Sequence, residues 1–212
     1  MEPVAFKTTA QVTEEAVNYI KERKNHTIQP LKSRWQKFNR VTCGGIEPNM
    51  IFTIAGSSGS GKSAWANTLT YDLIDLNSDQ NIVVLSFSFE MLSYRNIGRR
   101  LSNQLRKTTT ELYSAEQDLS DEDFAKVKST ANSIKDYPIY YVDTPCSVQK
   151  IEETIIYFHE NIAKGKWLIV VLDHTLLVEG DSERGTIVDL QKMFIRMKKL
   201  SFTSIIQISQ MN

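Results

Sequence analysis

Residues 55–66 read AGSSGSGKSAWA and follow the apolar run Met50-Ile51-Phe52-Thr53-Ile54. Every fixed position of the phosphate-loop pattern G-x-x-x-x-G-K-[ST] is filled. Glycines let the backbone curl so that successive N–H groups point at phosphate oxygens, and a following helix adds its positive end. The nucleotide-contacting set is therefore Gly56, Ser57, Ser58, Gly59, Ser60, Gly61, Lys62, Ser63 and Ala64. Lys62 is expected to reach the β- and γ-phosphates, and Ser63 to offer its hydroxyl to Mg²⁺. Four constrained positions arise by chance in roughly one chain of this length in a hundred at average residue usage. A β-rich run before the loop and helix-compatible SAWANTLTYDLI after it weigh further against an accidental Gly/Ser turn. The reading is a loop that binds ATP with Mg²⁺.

Outward from the loop, β-rich runs recur at 50–55, 82–88, 138–142, 167–172 and 203–209, with helical segments near 62–76, 91–106, 120–135, 147–163 and 186–200. This alternation predicts an α/β fold: βαβ units, a mostly parallel sheet and helices on both faces. Ser120 before Asp121-Glu122-Asp123, and Ser147 before VQKIEE, have the chemistry of helix N-caps. Residues 1–30 differ. Val12, Ala16, Tyr19 and Ile20 fall on one stripe of a helix expected over 13–24. That stripe either folds back onto its own domain or packs on a neighbouring subunit, and periodicity does not separate the two.

Length and composition suit one soluble domain. The 212 residues can bury a real core, and 25 basic against 25 acidic residues exclude a global basic field, though not a local basic groove. Cys43 and Cys146 fit neither a disulfide nor a zinc spacing, which points to a reduced, cytoplasmic chain. No run approaches 18 apolar residues, and the N-terminus lacks the apolar stretch of a signal peptide, so no membrane role is expected.

In open α/β sheets ligands sit at the carboxyl ends of strands. Asp173 closes WLIVVLD and is the expected Mg²⁺ carboxylate opposite Ser63. His174 beside it reads as a neighbour of the site without a role of its own. Glu90 closes IVVLSFSFE and could orient an attacking water, or merely cap a surface helix. Asp143 in YYVDTP is a third candidate, although Thr144-Pro145 reads as turn chemistry. Gln210 closes the fifth run, where its amide could sense a γ-phosphate or satisfy local backbone.

In this order the motifs resemble the ATPase domain of DnaB-type replicative helicases, on a RecA-like core, from about Leu31 to the last residue. CGGIEPNMIFTIAGSSGSGKSAWA resembles the family's first strand and phosphate loop, and LSFSFEM its second strand, which places Glu90 at the catalytic-glutamate position. Arg99 matches an arginine usual in the following helix. IVVLDHTLL resembles the Walker B strand, YYVDTP the third-strand motif, and IQISQMN the last core strand with Gln210 as sensor. The resemblance implies residues 31–212 as a RecA-like core, incomplete at its C-terminus, behind a linker helix in residues 1–30. That helix docks on the adjacent subunit of a hexameric ring in the family. The implied partners are single-stranded DNA, further copies of the chain, and a primase or helicase loader.

Some features depart from the family. Walker B reads Asp173-His174-Thr175-Leu176-Leu177 where the family usually has Asp-Tyr-Leu-Gln-Leu. The primase-interacting N-terminal domain is missing, as is everything after the sensor strand, where the family carries its arginine finger and most of its DNA-contacting loop. Arg95, Arg99, Arg184 and Arg196 have no strong claim to the finger's role, so slow hydrolysis by the chain alone is expected. The leading function is an ATP-driven helicase motor. Alternatives are a RecA- or KaiC-like ATPase, a small P-loop kinase whose lid would have to come from RNIGRRLSNQLRK, and an ATP-binding assembly module without turnover.

Overall fold

The computed structural model describes residues 5–116 and 118–211. Five strands, β1 (Ile51–Gly56), β2 (Ile82–Ser88), β3 (Ile139–Val142), β4 (Trp167–Asp173) and β5 (Thr203–Gln210), form one sheet in the order β1-β5-β4-β2-β3. Every pairing is parallel. Parallel neighbours need crossovers, and helices supply them: α3 (Lys62–Asp75), α4 (Ser93–Leu105), α5 (Thr109–Tyr113), α6 (Asp121–Ile134), α7 (Val148–Phe158) and α8 (Glu183–Met197). Ahead of the sheet come α1 (Thr9–Lys24) and the short α2 (Gln36–Val41).

The continuous apolar runs follow from burial on both faces. On β4, Leu168, Val170 and Leu172 face Ile151, Ile155, Leu190 and Phe194 of α7 and α8, while Ile169 and Val171 face Leu69 and Leu73 of α3. The α3 side also receives Leu31 and Ile46, both fully buried and paired in an antiparallel bridge. Arg34 reinforces this attachment with a 2.6 Å ion pair to Asp72. Trp35 stacks on Trp65 with ring centroids 4.8 Å apart. Polar residues inside the sheet are satisfied: Gln207 bonds Thr53 and Gln191, and Ser204 accepts from the Trp167 indole while donating to the Glu47 carbonyl.

All five expected strands form. Helix ends differ from expectation where caps decide them. The N-terminal helix starts at Thr9, four residues before the expected position, because Thr8 and Gln11 make a reciprocal capping box. The last helix starts at Glu183 under Ser182, and the segment 147–163 ends in a π-helical turn, His159–Ala163. Two short helices, α2 and α5, have no counterpart in the periodicity, which cannot register six residues or fewer. Helix α5 depends on a Thr108–Glu111 capping box and on Gly98, where a Cβ would sit 1.7 Å from the Tyr113 hydroxyl. Cys43 and Cys146 are free thiols.

Helix α1 touches the rest of the chain through polar groups. The Tyr19 hydroxyl donates to Glu47 at 2.5 Å, which raises the tyrosine pKa, and Arg23 pairs with Glu47 at 3.0 Å. None of its residues is buried, and Val12, Val17 and Ile20 are exposed. Among the described residues no helix is long and apolar enough to cross a membrane.

Candidate nucleotide site

Strand β1 ends at Gly56 in register with Gln210 of β5, so loop and amide leave the same edge of the sheet side by side. The loop turns on Gly59 and Gly61, whose φ values of +73° and +86° lie in the left-handed region that glycine adopts without strain. Gly61 is the residue before α3, and Lys62 and Ser63 form the first turn of that helix, at its positive end. The Lys62 ammonium donates to the Ser57 carbonyl at 2.7 Å.

Glu90 follows a strand that is not a neighbour of β1, since β5 and β4 lie between β1 and β2. Three strand spacings make roughly 14 Å. The loop and the start of α3 bridge that gap across the sheet edge, and the Ser63 hydroxyl comes 3.4 Å from the Glu90 carboxylate. The Phe89 and Glu90 amides donate to the Asp173 carbonyl at 2.9 and 3.4 Å, extending the β2–β4 pairing past the register of Ser88 with Asp173. Phe89 is buried, so Glu90 is held on a fixed backbone while its side chain stays exposed.

Asp173 has a different environment. Burial, aided by the nearby charge of Glu90, pushes its carboxyl above the usual carboxylate pKa, and the Ser63 hydroxyl opposes that rise. Its Oδ1 is buried without a hydrogen-bond partner. A buried orphan carboxylate oxygen is costly unless a cation or donor meets it. It lies with Ser63 around a small cavity of about 20 Å³ behind the phosphate loop. Two protein oxygen ligands suit Mg²⁺, which usually keeps several waters and takes its remaining ligands from phosphates. Among the described residues no group of three or more His, Cys, Asp or Glu forms a metal site by itself.

In front of this carboxylate lies a cavity of about 210 Å³ whose wall includes Gly59, Lys62, Ser63, Glu90 and Gln210. Ser58, Gly61 and Ala64 complete the loop's contribution, whereas Gly56, Ser57 and Ser60 face an open cleft on the β1 side, with Trp65 and Met211. His174 also lines the phosphate cavity, with its Nδ1 accepting from the Leu176 amide in a 3₁₀ turn.

Two expectations change here. Arg99 lines the phosphate cavity, so one arginine of this chain does stand beside the loop. It faces inward because α4 crosses the sheet edge, and residues near Glu90 in sequence are then near it in space. Its match to the family's helix arginine was the available signal. Asp143 is the reverse case. Its carboxylate oxygens accept from the Ser93 amide and hydroxyl at 3.1 and 2.8 Å, so it caps α4. The arginine cluster is likewise no mobile lid. It lies on α4, and Arg100 is buried in an ion pair with Asp75 at 2.7 Å.

Comparison with known proteins agrees with this architecture. A family model for the DnaB-like helicase C terminal domain matches residues 30–212. Among solved structures, one described as an ATPase domain is similar with a TM-score of 0.74 and 23% identity, covering 94% of this chain and 71% of that one. "The Structure Of A DnaB-Like Replicative Helicase And Its Interactions With Primase" matches with a TM-score of 0.75 and 21% identity, covering 100% of this chain. This chain spans about half (49%) of the length of that helicase. At such identity the two structures establish the RecA-like fold, and no curated protein matches the chain. By the span of the family match and the architecture that accompanies it, the chain belongs to the DnaB-like helicase C-terminal domain family, the ATP-hydrolysing motor domain of a DNA helicase.

Proposed function

We propose that this domain hydrolyses ATP with Mg²⁺ and, as a homo-oligomer, couples hydrolysis to movement along single-stranded DNA. The observation that carries the reading is the meeting of Ser63, Glu90 and the orphan Asp173 at one end of the sheet. In it, the loop from Gly56 to Ala64 holds the phosphates through backbone N–H groups and the α3 N-terminus. Lys62 exchanges the Ser57 carbonyl for phosphate oxygens. Ser63 and Asp173 would hold Mg²⁺, which when bound neutralises phosphate charge. Glu90 orients the attacking water and takes its proton as the water oxygen bonds to the γ-phosphorus and the bond to the β–γ bridging oxygen breaks. Gln210, level with Gly56, donates its amide to the γ-phosphate and carries its loss to β5.

Asp173→Asn tests the metal assignment in two directions. Because burial raises its pKa, Asp173 stabilises the ligand-free fold below the ordinary carboxylate pKa, and that contribution is lost as pH rises through the raised value. At neutral pH the charged form is therefore a burden, and Asn removes it. The ligand-free variant should melt higher, by about 2–4 °C per kcal/mol relieved in a domain of this size. Its stabilisation by ATP should no longer depend on Mg²⁺. Calorimetric melts with and without Mg²⁺-ATP check both, and an unchanged Mg²⁺ effect would remove Asp173 from the metal site.

The assembly is proposed as a hexameric ring, with residues 1–30 as the segment that reaches a neighbour and residues 31–212 as the core. Exposure of Val12, Val17 and Ile20 on α1 supports it. Val12→Glu with Ile20→Glu should shift assembled protein towards monomers, with little change in core melting, because neither side chain is buried in its own chain. Light scattering at matched concentrations decides this. Unchanged mass with a large loss of stability would put the helix on its own core. A primase or helicase loader as partner and a cytoplasmic location complete the proposal. They follow from the family and the absence of a spanning helix among the described residues.

A further inference from the structure

Beside the phosphate cavity lies a second one that the reading above does not use. It is a cleft of about 310 Å³ between α3 and α4, lined by Ala64, Asn67, Thr68, Arg99, Arg100 and Asn103. Its lining holds two cations and no carboxylate. Arg100 is 7% exposed, and its charge is spent on Asp75 and on the face of Tyr71, 4.4 Å from the ring centroid. Its Nε has no hydrogen-bond partner, so the buried guanidinium is under-satisfied. Arg99 makes no ion pair or hydrogen bond among the described residues, and it lines both the cleft and the phosphate cavity. Ala64 is shared in the same way, and Asn67 is common to the cleft and the small cavity behind Asp173. The three spaces are contiguous around the first turns of α3.

We propose that this cleft receives the orthophosphate cleaved from ATP and holds it on its way out, between α3 and α4, while ADP still occupies the phosphate loop. The proposal rests on the hydrolytic reading of the phosphate cavity. After cleavage two polyanions lie against one another and repel. The departing one needs an adjoining space with positive potential and hydrogen-bond donors. The cleft offers the Arg99 guanidinium at its wall with the phosphate cavity, and the Asn67, Thr68 and Asn103 side chains beyond it. Arg99 can follow the anion across that wall because no carboxylate holds it. Arg100, fixed by Asp75 and Tyr71, keeps the floor in shape. Two helices wall the cleft, so it suits a small free anion better than the continuous backbone of a nucleic acid.

Asn103 gives a test that leaves the nucleotide cavity untouched, since it is exposed, lies outside that cavity and makes no side-chain bond among the described residues. Orthophosphate is titrated against the ADP-loaded protein and followed by phosphorus-31 line broadening. Asn103→Glu should weaken its binding about fivefold or more and Asn103→Arg should tighten it comparably, as expected for one charge placed at an anion site. ADP affinity should be unchanged in both. In single turnovers of the assembled protein, release measured by a phosphate sensor should lag chemical cleavage, with the lag shorter for Glu and longer for Arg. Phosphate affinity indifferent to both variants, with normal ADP binding, would overturn the cleft alone. Displacement of bound orthophosphate by a thymidine oligonucleotide would overturn it too, by making the cleft a backbone contact. Failure of ADP to bind at all would instead remove the hydrolytic reading on which the proposal stands.

Discussion

Glu90→Gln is expected to leave nucleotide affinity and the fold intact while hydrolysis by the assembled protein falls about 10²-fold or more, the usual worth of a positioned base. The substitution keeps size and most hydrogen-bonding capacity. The backbone of Glu90 is held by Asp173, and its exposed side chain makes no packing contact the core needs, so stability has little reason to change. What is lost is a carboxylate 3.4 Å from the Ser63 hydroxyl, at the mouth of the cavity where the γ-phosphate would sit. Measuring ATP binding and phosphate release on the same preparations separates the two effects. Normal turnover would show that another group orients the water. Asp143 is a poor substitute, because its oxygens are already engaged by Ser93.

Lys62→Ala should weaken ATP binding at least tenfold, a loss of about 1.4 kcal/mol or more. The gross contact between an ammonium and two phosphate groups is larger, but the ligand-free Lys62 already satisfies one proton on the Ser57 carbonyl, 2.7 Å away, and must give that bond up. Alanine is a good helix former at the first position of α3, so the loop should keep its shape. Titration of wild type and variant with a fluorescent nucleotide gives the ratio directly. Equal affinities would mean that this loop does not hold the nucleotide. Together with Glu90→Gln, the pair distinguishes a site that fails to bind from one that binds and fails to react.

The fold was legible because its signals are local. Runs such as WLIVVLD are apolar on both faces only when helices cover both, and each phosphate-loop residue lies within a few positions of the next. Helix ends were legible only where a cap stands beside a periodic run, as at Ser120 and Ser147. Thr8 and Thr108 cap helices too, yet one stands ahead of the apolar stripe and the other opens a helix of only five residues, so periodicity points to neither.

The sequence by itself determined the phosphate loop, the parallel sheet and the type of residue at each strand end: a glycine, a glutamine and three carboxylates. These depend on the chemistry of short segments, which neighbouring residues impose on one another. Which strand ends meet is a different matter. Strand order is set by long-range pairing, in which β5, the last strand, inserts between β1 and β4. That insertion sets Gln210 level with Gly56, and the loop's passage across the edge then selects Glu90 while Asp143 is spent capping α4. The same geometry turns Arg99 into the cavity and Arg100 into the core from adjacent positions on one helix, because a step of about 100° separates neighbours on a 3.6-residue turn. Spacing along the chain names the candidates, and only the packing of α4 against α3 and the sheet decides which of them face the phosphates.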